Sequence, residues 1–207
     1  MIRRARSSSL LILTVAFAGI AVKAQTKDNT ESPLPSQAEM MKRWQDARTP
    51  AEGHKALSTL LGSWEATAST WMAGPDHPPS LSKGSSENSW VLEGRFVKQE
   101  FSGDIMGLPM LGIGYTGYDN IKKEYVGVWI DNTSTAMYTL QGFLDKSGKV
   151  LTMLGTIDDP MTGERNKKVK YGTTFVDADN HVFEMHDLSI KGNNQKLVEI
   201  KYTRKKS

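Results

Sequence analysis

The sequence predicts an all-β protein: an antiparallel up-and-down β-barrel of about ten strands that follows one or two short N-terminal helices. From residue 62 onward, short segments rich in β-branched and aromatic residues alternate with turn sequences such as Glu93-Gly94 and Asp119-Asn120. Most of the intervening turns are too short for a crossover helix, so successive strands are expected to pair antiparallel. About ten strands in an open sheet would expose two edges, and closure into a barrel removes both.

The first 24 residues have the pattern of a secretory signal peptide. Arg3, Arg4 and Arg6 precede an apolar run from Leu10 to Val22, and Val22-Lys23-Ala24 provides an A-x-A-like cleavage site. We therefore expect residues 1–24 to be removed and the mature protein to be exported, either to the periplasm or to the medium. The apolar run has 13 residues, fewer than the ~20 of a membrane-spanning helix, so no integral membrane segment is expected after cleavage.

The predicted signal peptide accounts for the excess of positive charge. It contains four basic residues and no acidic ones, so its removal lowers the formal net charge from +3 to −1. The composition of the mature chain therefore gives no argument for nucleic-acid binding, and no nucleic-acid partner is expected. Cysteine is absent, which excludes disulfides, thiol nucleophiles and cysteine-based metal sites. The fold must be stabilised by its core, which a single domain of this length can supply.

A linker and two helix signals precede the strands. Residues 25–35 are polar and contain two prolines, which is typical of a disordered linker, and residues 36–61 are predicted to hold the helices. Ser36 and Glu39 form a capping box at the start of the first helix. An apolar stripe at helical spacing follows, which consists of Met40, Met41, Trp44 and Ala47.

The second helix is predicted to start at Thr49-Pro50, with Thr49 as its N-cap and Pro50 at the first helical position. His54, Leu57 and Leu61 then recur on one face, and Gly62 ends the helix. Because His54 lies on this apolar face, we expect a core or capping histidine there rather than a metal ligand.

The predicted barrel domain covers residues 62–205. Its ten strands are 64–72, 85–92, 96–103, 111–118, 124–132, 135–145, 150–158, 168–177, 181–190 and 196–204. Turn sequences rich in Gly, Asn, Asp and Pro separate them, as in the segment from Asp159 to Gly163. A barrel of this strand number is wide enough to contain a ligand.

The segment Gly62-Ser63-Trp64, where the second helix gives way to the first strand, resembles the opening signature of the lipocalin and calycin superfamily. The resemblance implies that Trp64 closes one end of the barrel and packs against an arginine of the last strand. Arg204 is the expected partner. A guanidinium over an indole face contributes about 0.5–2 kcal/mol, and this contact would join the first and last strands.

A closer resemblance covers nearly all of the chain from His54 onward. Six segments in order are similar to the bacterial DUF1579 family, a lipocalin-like group without an established function; they read GHKALSTLLGSW, LEGRF, GYTGYD, YVGVWIDNTST, DDPMTG and EIKYTRK. The resemblance implies the fold and supplies no catalytic role for any residue.

The fifth predicted strand carries the clearest candidate for a ligand site. Tyr125, Trp129 and Asp131 share one of its faces, so that an aromatic surface would end in a single carboxylate. That face points either into the barrel or outward, because Val126, Val128 and Ile130 on the other face are also apolar. The expected ligand-contacting residues are Tyr115, Tyr125, Trp129, Asp131 and His186.

Metal, haem and catalytic chemistry have weaker support. His77 lies in a proline-rich loop, and His181 and His186 are five positions apart on one strand, which places them on opposite faces. A haem-binding barrel with His186 or His181 as proximal ligand is one alternative. No metal or cofactor is expected, and no G-x-S-x-G nucleophile motif occurs.

The sequence therefore favours an exported protein that binds a small apolar or amphipathic molecule inside its barrel. One alternative is an enzyme at the barrel mouth that uses Asp131 or His186 as acid or base. Another is a protein-interaction module formed by the helix over residues 37–48, with no partner identified.

Overall fold

The computed structural model describes residues 34–71, 74, 76–105, 107–189 and 194–206. The predicted signal peptide and nearly all of the predicted linker lie outside these residues. Helix α1 spans Gln37–Arg48, helix α2 spans Glu52–Ala56, and a 3₁₀ turn spans Leu57–Leu60. No helix of the described residues has the length and apolar character needed to cross a membrane.

Ten antiparallel strands follow the helices and form a closed barrel. They are β1 (Gly62–Thr70), β2 (Ser80–Val91), β3 (Phe96–Ile105), β4 (Leu108–Asp119), β5 (Glu124–Asp131), β6 (Tyr138–Leu144), β7 (Val150–Ile157), β8 (Lys167–Phe175), β9 (Asn180–Asp187) and β10 (Gln195–Arg204). Each strand pairs with its neighbours in sequence, and β1 also pairs with β10. The prediction of an up-and-down barrel is therefore confirmed.

Most strand boundaries differ from the prediction by one to three residues, and β2 begins five residues earlier, at Ser80. The turns beside β3, β4 and β6 explain the differences there. Strands β3 and β4 continue until Ile105 pairs with Leu108, since Gly107 adopts a φ of +79° and permits a tight hairpin. Strand β6 begins only at Tyr138. The preceding residues form a turn in which the Ser134 hydroxyl accepts a hydrogen bond from the backbone of Ala136 at 3.0 Å.

The two helices begin at different kinds of cap. The Ser36 hydroxyl accepts a hydrogen bond from the Glu39 backbone at 3.2 Å, which is one half of the predicted capping box, while the Glu39 carboxylate pairs with Arg43. The second helix starts at Glu52 rather than next to Thr49, because His54 supplies its cap: Nδ1 accepts a hydrogen bond from the Ala51 backbone at 3.0 Å. His54 is therefore a buried capping residue, as the sequence suggested.

The 3₁₀ turn closes one end of the barrel, called here the helical end. Leu57 is buried there and packs with Val97, Tyr125 and Phe175 from inside the barrel. The fully buried Trp64 contacts the same turn, since its Nε1 donates a hydrogen bond to the Leu60 carbonyl at 2.9 Å. These contacts seal the helical end with apolar side chains.

Arg204 joins the first and last strands at this end. It pairs with Trp64 across β1 and β10, and its guanidinium carbon lies 4.1 Å from the centre of the Trp64 ring. The same guanidinium donates hydrogen bonds to the carbonyls of Leu61 at 2.7 Å and Ala178 at 2.9 Å. One side chain thus ties together β1, β10 and the turn before β9.

Helix α1 is attached to the barrel mainly through its C-terminal end. The Asn120 side chain, in the turn between β4 and β5, donates to the carbonyls of Asp46, Ala47 and Thr49. The helix has no buried residue, and Met40, Met41 and Trp44 are about half exposed. Its apolar stripe is therefore open to solvent.

Candidate functional site

The structure decides which face of β5 points inward. Tyr125 is buried in the core, and Trp129 and Asp131 line an interior cavity, whereas Ile130 is 38% exposed on the outside. The aromatic face of β5 that ends in a carboxylate is therefore the inner face. Both faces of the strand are apolar, so this assignment depends on the register of the whole barrel.

The cavity occupies the barrel interior and has a volume of about 320 Å³. It extends from Leu60 at the helical end to the opposite strand ends, where the lining residues Asp104, Ile105, Asp131 and Ile157 form what is called here the rim. Aromatic and methionine side chains supply much of the wall: Phe101, Met110, Trp129, Tyr138, Met153, Tyr171, Phe183, Met185 and Tyr202. Ligand pockets commonly measure about 300–1,000 Å³, so this one suits a small molecule.

Two glycines of β4 allow the Trp129 indole to lie flat against the barrel wall. Gly114 pairs directly with Trp129, and Gly112 pairs with Asp131. A Cβ atom at Gly114 would lie 2.9 Å from the ring, and one at Gly112 would overlap it. The opposite face of the indole therefore borders the cavity. These glycines accommodate an aromatic wall.

Asp131 fixes the same indole from the rim. Its Oδ2 accepts a hydrogen bond from Trp129 Nε1 at 2.7 Å. Its Oδ1 accepts from the Thr133 backbone at 2.9 Å and from the Thr133 hydroxyl at 2.5 Å. A carboxylate can accept about four hydrogen bonds, so one position on Oδ2 is left for a further donor.

His181 lies in an aromatic stack at the inner end of the cavity. Its ring is stacked on Tyr202 at 4.4 Å and meets Trp64 edge-on at 4.3 Å. Burial, together with the nearby charge of Arg204, lowers the pKa of His181 to about 4. The ring is therefore neutral at pH 7, and its Nδ1 has no hydrogen-bond partner among the described residues.

A chain of neutral polar side chains connects the helical end to the cavity wall. Asn88 donates to the Leu60 carbonyl at 2.8 Å, and the Ser86 hydroxyl donates to Asn88 at 2.6 Å. Gln99, which lines the cavity, donates to the Ser86 hydroxyl at 3.1 Å. This network places an amide in the wall without placing a charge there.

A buried ion cluster lies near the rim. Lys167 pairs with Ile157 across β7 and β8 and contacts Asp159 at 2.8 Å, Asp187 at 3.1 Å and Glu164 at 3.4 Å. Burial alone would lower the pKa of Lys167, but hydrogen bonds to Asp159 and Asp187 raise it above its ordinary value. The hydrogen bond from Lys167 lowers the pKa of Asp159 to about 2.

The structure brings together only some of the predicted ligand-contacting residues. Trp129 and Asp131 line the cavity and touch each other. Tyr125 faces inward but lies in the core cluster with Leu57. Tyr115 is 37% exposed on the outer face, because it follows the inward-facing position at Gly114.

His186 also lies on the outer face of its strand. Its ring nitrogens contact the Asn194 carbonyl at 3.2 Å and Glu184 at 3.4 Å. His181 and Met185 line the cavity from the inner face, so the two histidines of β9 are on opposite faces, as predicted. In the described part of the chain, no three potential ligands are grouped to hold a metal ion.

Several cavity residues were not identified from the sequence, although one pattern could have found them. Opposite residues of an antiparallel pair share a face, so the predicted pairing of Trp64 with Arg204 fixes the inner face of β10. Counting back in steps of two from Arg204 gives Tyr202, Ile200 and Val198, all of which line the cavity. No comparable pairing was predicted for β8, which supplies Tyr171.

Several solved structures are similar to this chain at low sequence identity. The crystal structure of Rv2717c from M. tuberculosis is 16% identical, with a TM-score of 0.54, and the match covers 76% of this chain and 100% of that one. The S-type phycobiliprotein lyase CPES from Guillardia theta is 11% identical, with a TM-score of 0.49, and the match covers 84% of this chain and 99% of that one. A redesigned β-barrel, mFAP0, bound to DFHBI is 15% identical, with a TM-score of 0.38, and the match covers 70% and 99%.

Sequence comparison identifies the family. No curated protein matches the chain. Residues 49–204, which include both members of the Trp64–Arg204 contact and all ten strands, match the family described as "Protein of unknown function (DUF1579)". The chain therefore belongs to the DUF1579 family of β-barrel proteins.

Proposed function

We propose that this protein is exported and binds a small apolar or amphipathic molecule inside its barrel. The observation that carries the proposal is the cavity of about 320 Å³ with its aromatic and methionine lining. A closed barrel could instead fill its interior with side chains, as small barrels do. Ligand sites are usually cavities that are lined by apolar groups and that contain a few oriented polar groups.

The lining explains how such a molecule would be held. Transfer of apolar surface from water contributes about 25 cal/mol per Å², so a two-ring aromatic that buries about 200 Å² would gain about 5 kcal/mol. The Trp129 face is fixed before binding by Gly112, Gly114 and Asp131, so little side-chain freedom is lost when a ligand stacks on it. Gln99 and the Tyr171 hydroxyl supply neutral hydrogen-bonding groups for orientation.

Filling the cavity tests the proposal. Ala68 lines the cavity, and the neighbouring Thr67 is exposed on the outer face of the same strand. We expect A68F to abolish calorimetric binding of 1-naphthylmethanol, whereas the matched control T67F binds as the wild type does. Circular dichroism checks that both variants fold. Equal binding by A68F and T67F, or no binding by the wild type, would contradict the proposal.

Export is tested separately from binding. The support for it is the arginine-rich, apolar N-terminal pattern followed by Val22-Lys23-Ala24. We expect the intact mass of protein from the exported fraction to correspond to a chain that begins at Gln25. Native mass spectrometry of the same sample should show a non-covalent small-molecule adduct, which denaturation releases for identification. A full-length chain retained in the cytoplasm would contradict export.

Protein interaction through α1 is a second candidate, favoured by the exposure of Met40, Met41 and Trp44. No residue of α1 lines the cavity, so the helix is not part of the binding site. If α1 binds a partner, the triple variant M40A/M41A/W44A should lose a specific cross-linked species in the exported fraction while it retains naphthylmethanol binding. A cross-linking pattern identical to that of the wild type would exclude this role.

A further inference from the structure

In the described part of the chain, the ionised side chains that line the cavity at pH 7 are both acidic. Asp104 and Asp131 line it, and among the residues that the structure describes no lysine or arginine does. His181 adds no positive charge at pH 7, because burial lowers its pKa to about 4. The described wall therefore offers no positively charged partner to an anionic ligand.

The inward-facing cation near the rim does not alter this balance. Lys167 is 8% exposed and is surrounded by the carboxylates of Asp159, Glu164 and Asp187. Three acids around one base leave this cluster with a negative net charge. The cluster therefore offers no unpaired cation to a ligand in the cavity.

Asp131 has both a hydrogen-bonding position and an aromatic setting for a cation. One lone-pair position on Oδ2 is unused by Trp129 and Thr133. The open face of Trp129 borders the same space, together with Tyr138 and Tyr171. Aromatic faces attract cations within about 6 Å of the ring centre. A carboxylate surrounded by aromatic rings is thus suited to an ammonium group.

A negatively charged group at the same place would be disfavoured twice. It would lose its hydration without gaining a partner of opposite charge, and it would lie close to the Asp131 carboxylate. A fatty acid or a phosphate ester is therefore a poor occupant. An uncharged apolar molecule escapes both penalties but gains no electrostatic attraction.

We infer that the barrel selects a compact aromatic or aliphatic amine, with the apolar body in the cavity and the ammonium group at Asp131, and that it discriminates against carboxylates and phosphates. This inference rests on the proposed binding function and specifies the charge of its ligand. The cavity volume of about 320 Å³ limits the apolar body to about the size of a small fused-ring system.

The test compares three probes with the same apolar body. Binding of 1-naphthylmethylamine, 1-naphthylmethanol and 1-naphthoate to the wild type is measured by titration calorimetry at pH 7. We expect the amine to bind about tenfold more tightly than the alcohol, and the naphthoate to bind about tenfold more weakly than the alcohol. Equal or tighter binding of the naphthoate would overturn the inference.

Variants then identify the residue responsible. D131N should reduce the preference for the amine over the alcohol about tenfold, and D104N should reduce it to a smaller extent. The ratio is the readout, because a displaced Trp129 would weaken both probes equally. The control E100Q makes the same change of charge on the outer face of β3 and should leave the ratio unchanged.

The outcomes separate the two proposals. The binding function stands if the alcohol binds and A68F abolishes its binding. The charge selectivity is nevertheless wrong if the amine binds no more tightly than the alcohol, or if its tighter binding is unchanged in D131N and D104N. If none of the three probes binds, the binding function and this inference fail together. A preference for the amine that survives in D131N/D104N would also overturn the role of these carboxylates.

Discussion

His181 shows how a single buried residue links the fold to solution conditions. It is held between Tyr202 and Trp64, close to the charge of Arg204, and it is 3% exposed. A proton on this ring would be buried beside a guanidinium, so the folded protein resists protonation until the pKa of about 4 is reached. The unfolded chain takes up the same proton near pH 6.5.

Stability should therefore fall as the pH is lowered from about 6.5 to about 4. In that interval the unfolded state binds a proton that the folded state does not, so the free energy of unfolding rises with pH. His181 contributes on the order of 3 kcal/mol across the interval, and His54 acts in the same direction because burial lowers its pKa as well. Urea unfolding at a series of pH values measures the slope.

Two variants test whether His181 causes the dependence of stability on pH. H181F cannot titrate, so its stability should depend less on pH between 6.5 and 4 than that of the wild type. The control H77Q changes an exposed loop histidine and should keep the slope of the wild type. An H181F slope as steep as that of the wild type would show that other groups cause the loss of stability in acid.

At the scale of elements, α1 depends on one side chain for its attachment. Asn120 caps three carbonyls at its C-terminal end, and no residue of the helix is buried. Most helices in proteins are stabilised because an apolar face packs against the rest of the fold, whereas the apolar face of α1 is exposed. Its stability relative to the barrel should therefore be low and local.

N120A should detach the helix without unfolding the barrel. The variant removes the amide group whose two N–H donors are shared among three carbonyls at the C-terminal end of α1, a loss of about 2 kcal/mol, and the barrel pairings are untouched. Hydrogen exchange followed by mass spectrometry should show faster exchange in residues 37–48 and unchanged exchange in β1 and β10. The control S147A alters a different β-turn and should not affect α1. Unchanged protection of α1 in N120A would contradict this view.

The elements were more predictable from the sequence than the site. All ten strands follow from alternation and turn residues, because both signals are local. The inner face of β5 was undecided, since Val126 and Val128 are as apolar as the residues opposite them. Only the register between strands decides it, and register is not visible in one segment.

The predicted site residues illustrate the same limit. Trp129 and Asp131 were found because they occur together on one strand. Tyr115 and His186 were expected to contact a ligand. Each is next in sequence to an inward-facing residue of its strand, however, so its side chain points outward. His54 was interpreted correctly, because a helix start depends on its neighbours in sequence.

At the scale of the whole molecule, Arg204 is the residue on which closure depends. It stacks on the fully buried Trp64 and satisfies the carbonyls of Leu61 and Ala178. Those carbonyls belong to segments far apart in the sequence. The loss of the guanidinium would leave them without these donors at the seam between β1 and β10.

R204A should destabilise the barrel by about 3 kcal/mol, from the lost cation–π contact and the lost charged hydrogen bonds. R204K keeps the charge but not the planar fork, so its loss should be intermediate. Chemical denaturation followed by tryptophan fluorescence measures both variants, with K205A as the neighbouring control. A loss in R204A no larger than about 0.5 kcal/mol, typical of an ordinary surface change, would refute this role.

The seam between β1 and β10 also has a consequence for synthesis. The contact between Arg204 and Leu61 joins positions 143 residues apart, so it can form only after the whole span from β1 to β10 has been synthesised. Until then β1 and the most recently made strand are open edges, which can pair with other chains. Pairing of β10 with β1 removes both edges, so the risk of aggregation falls once β10 is complete.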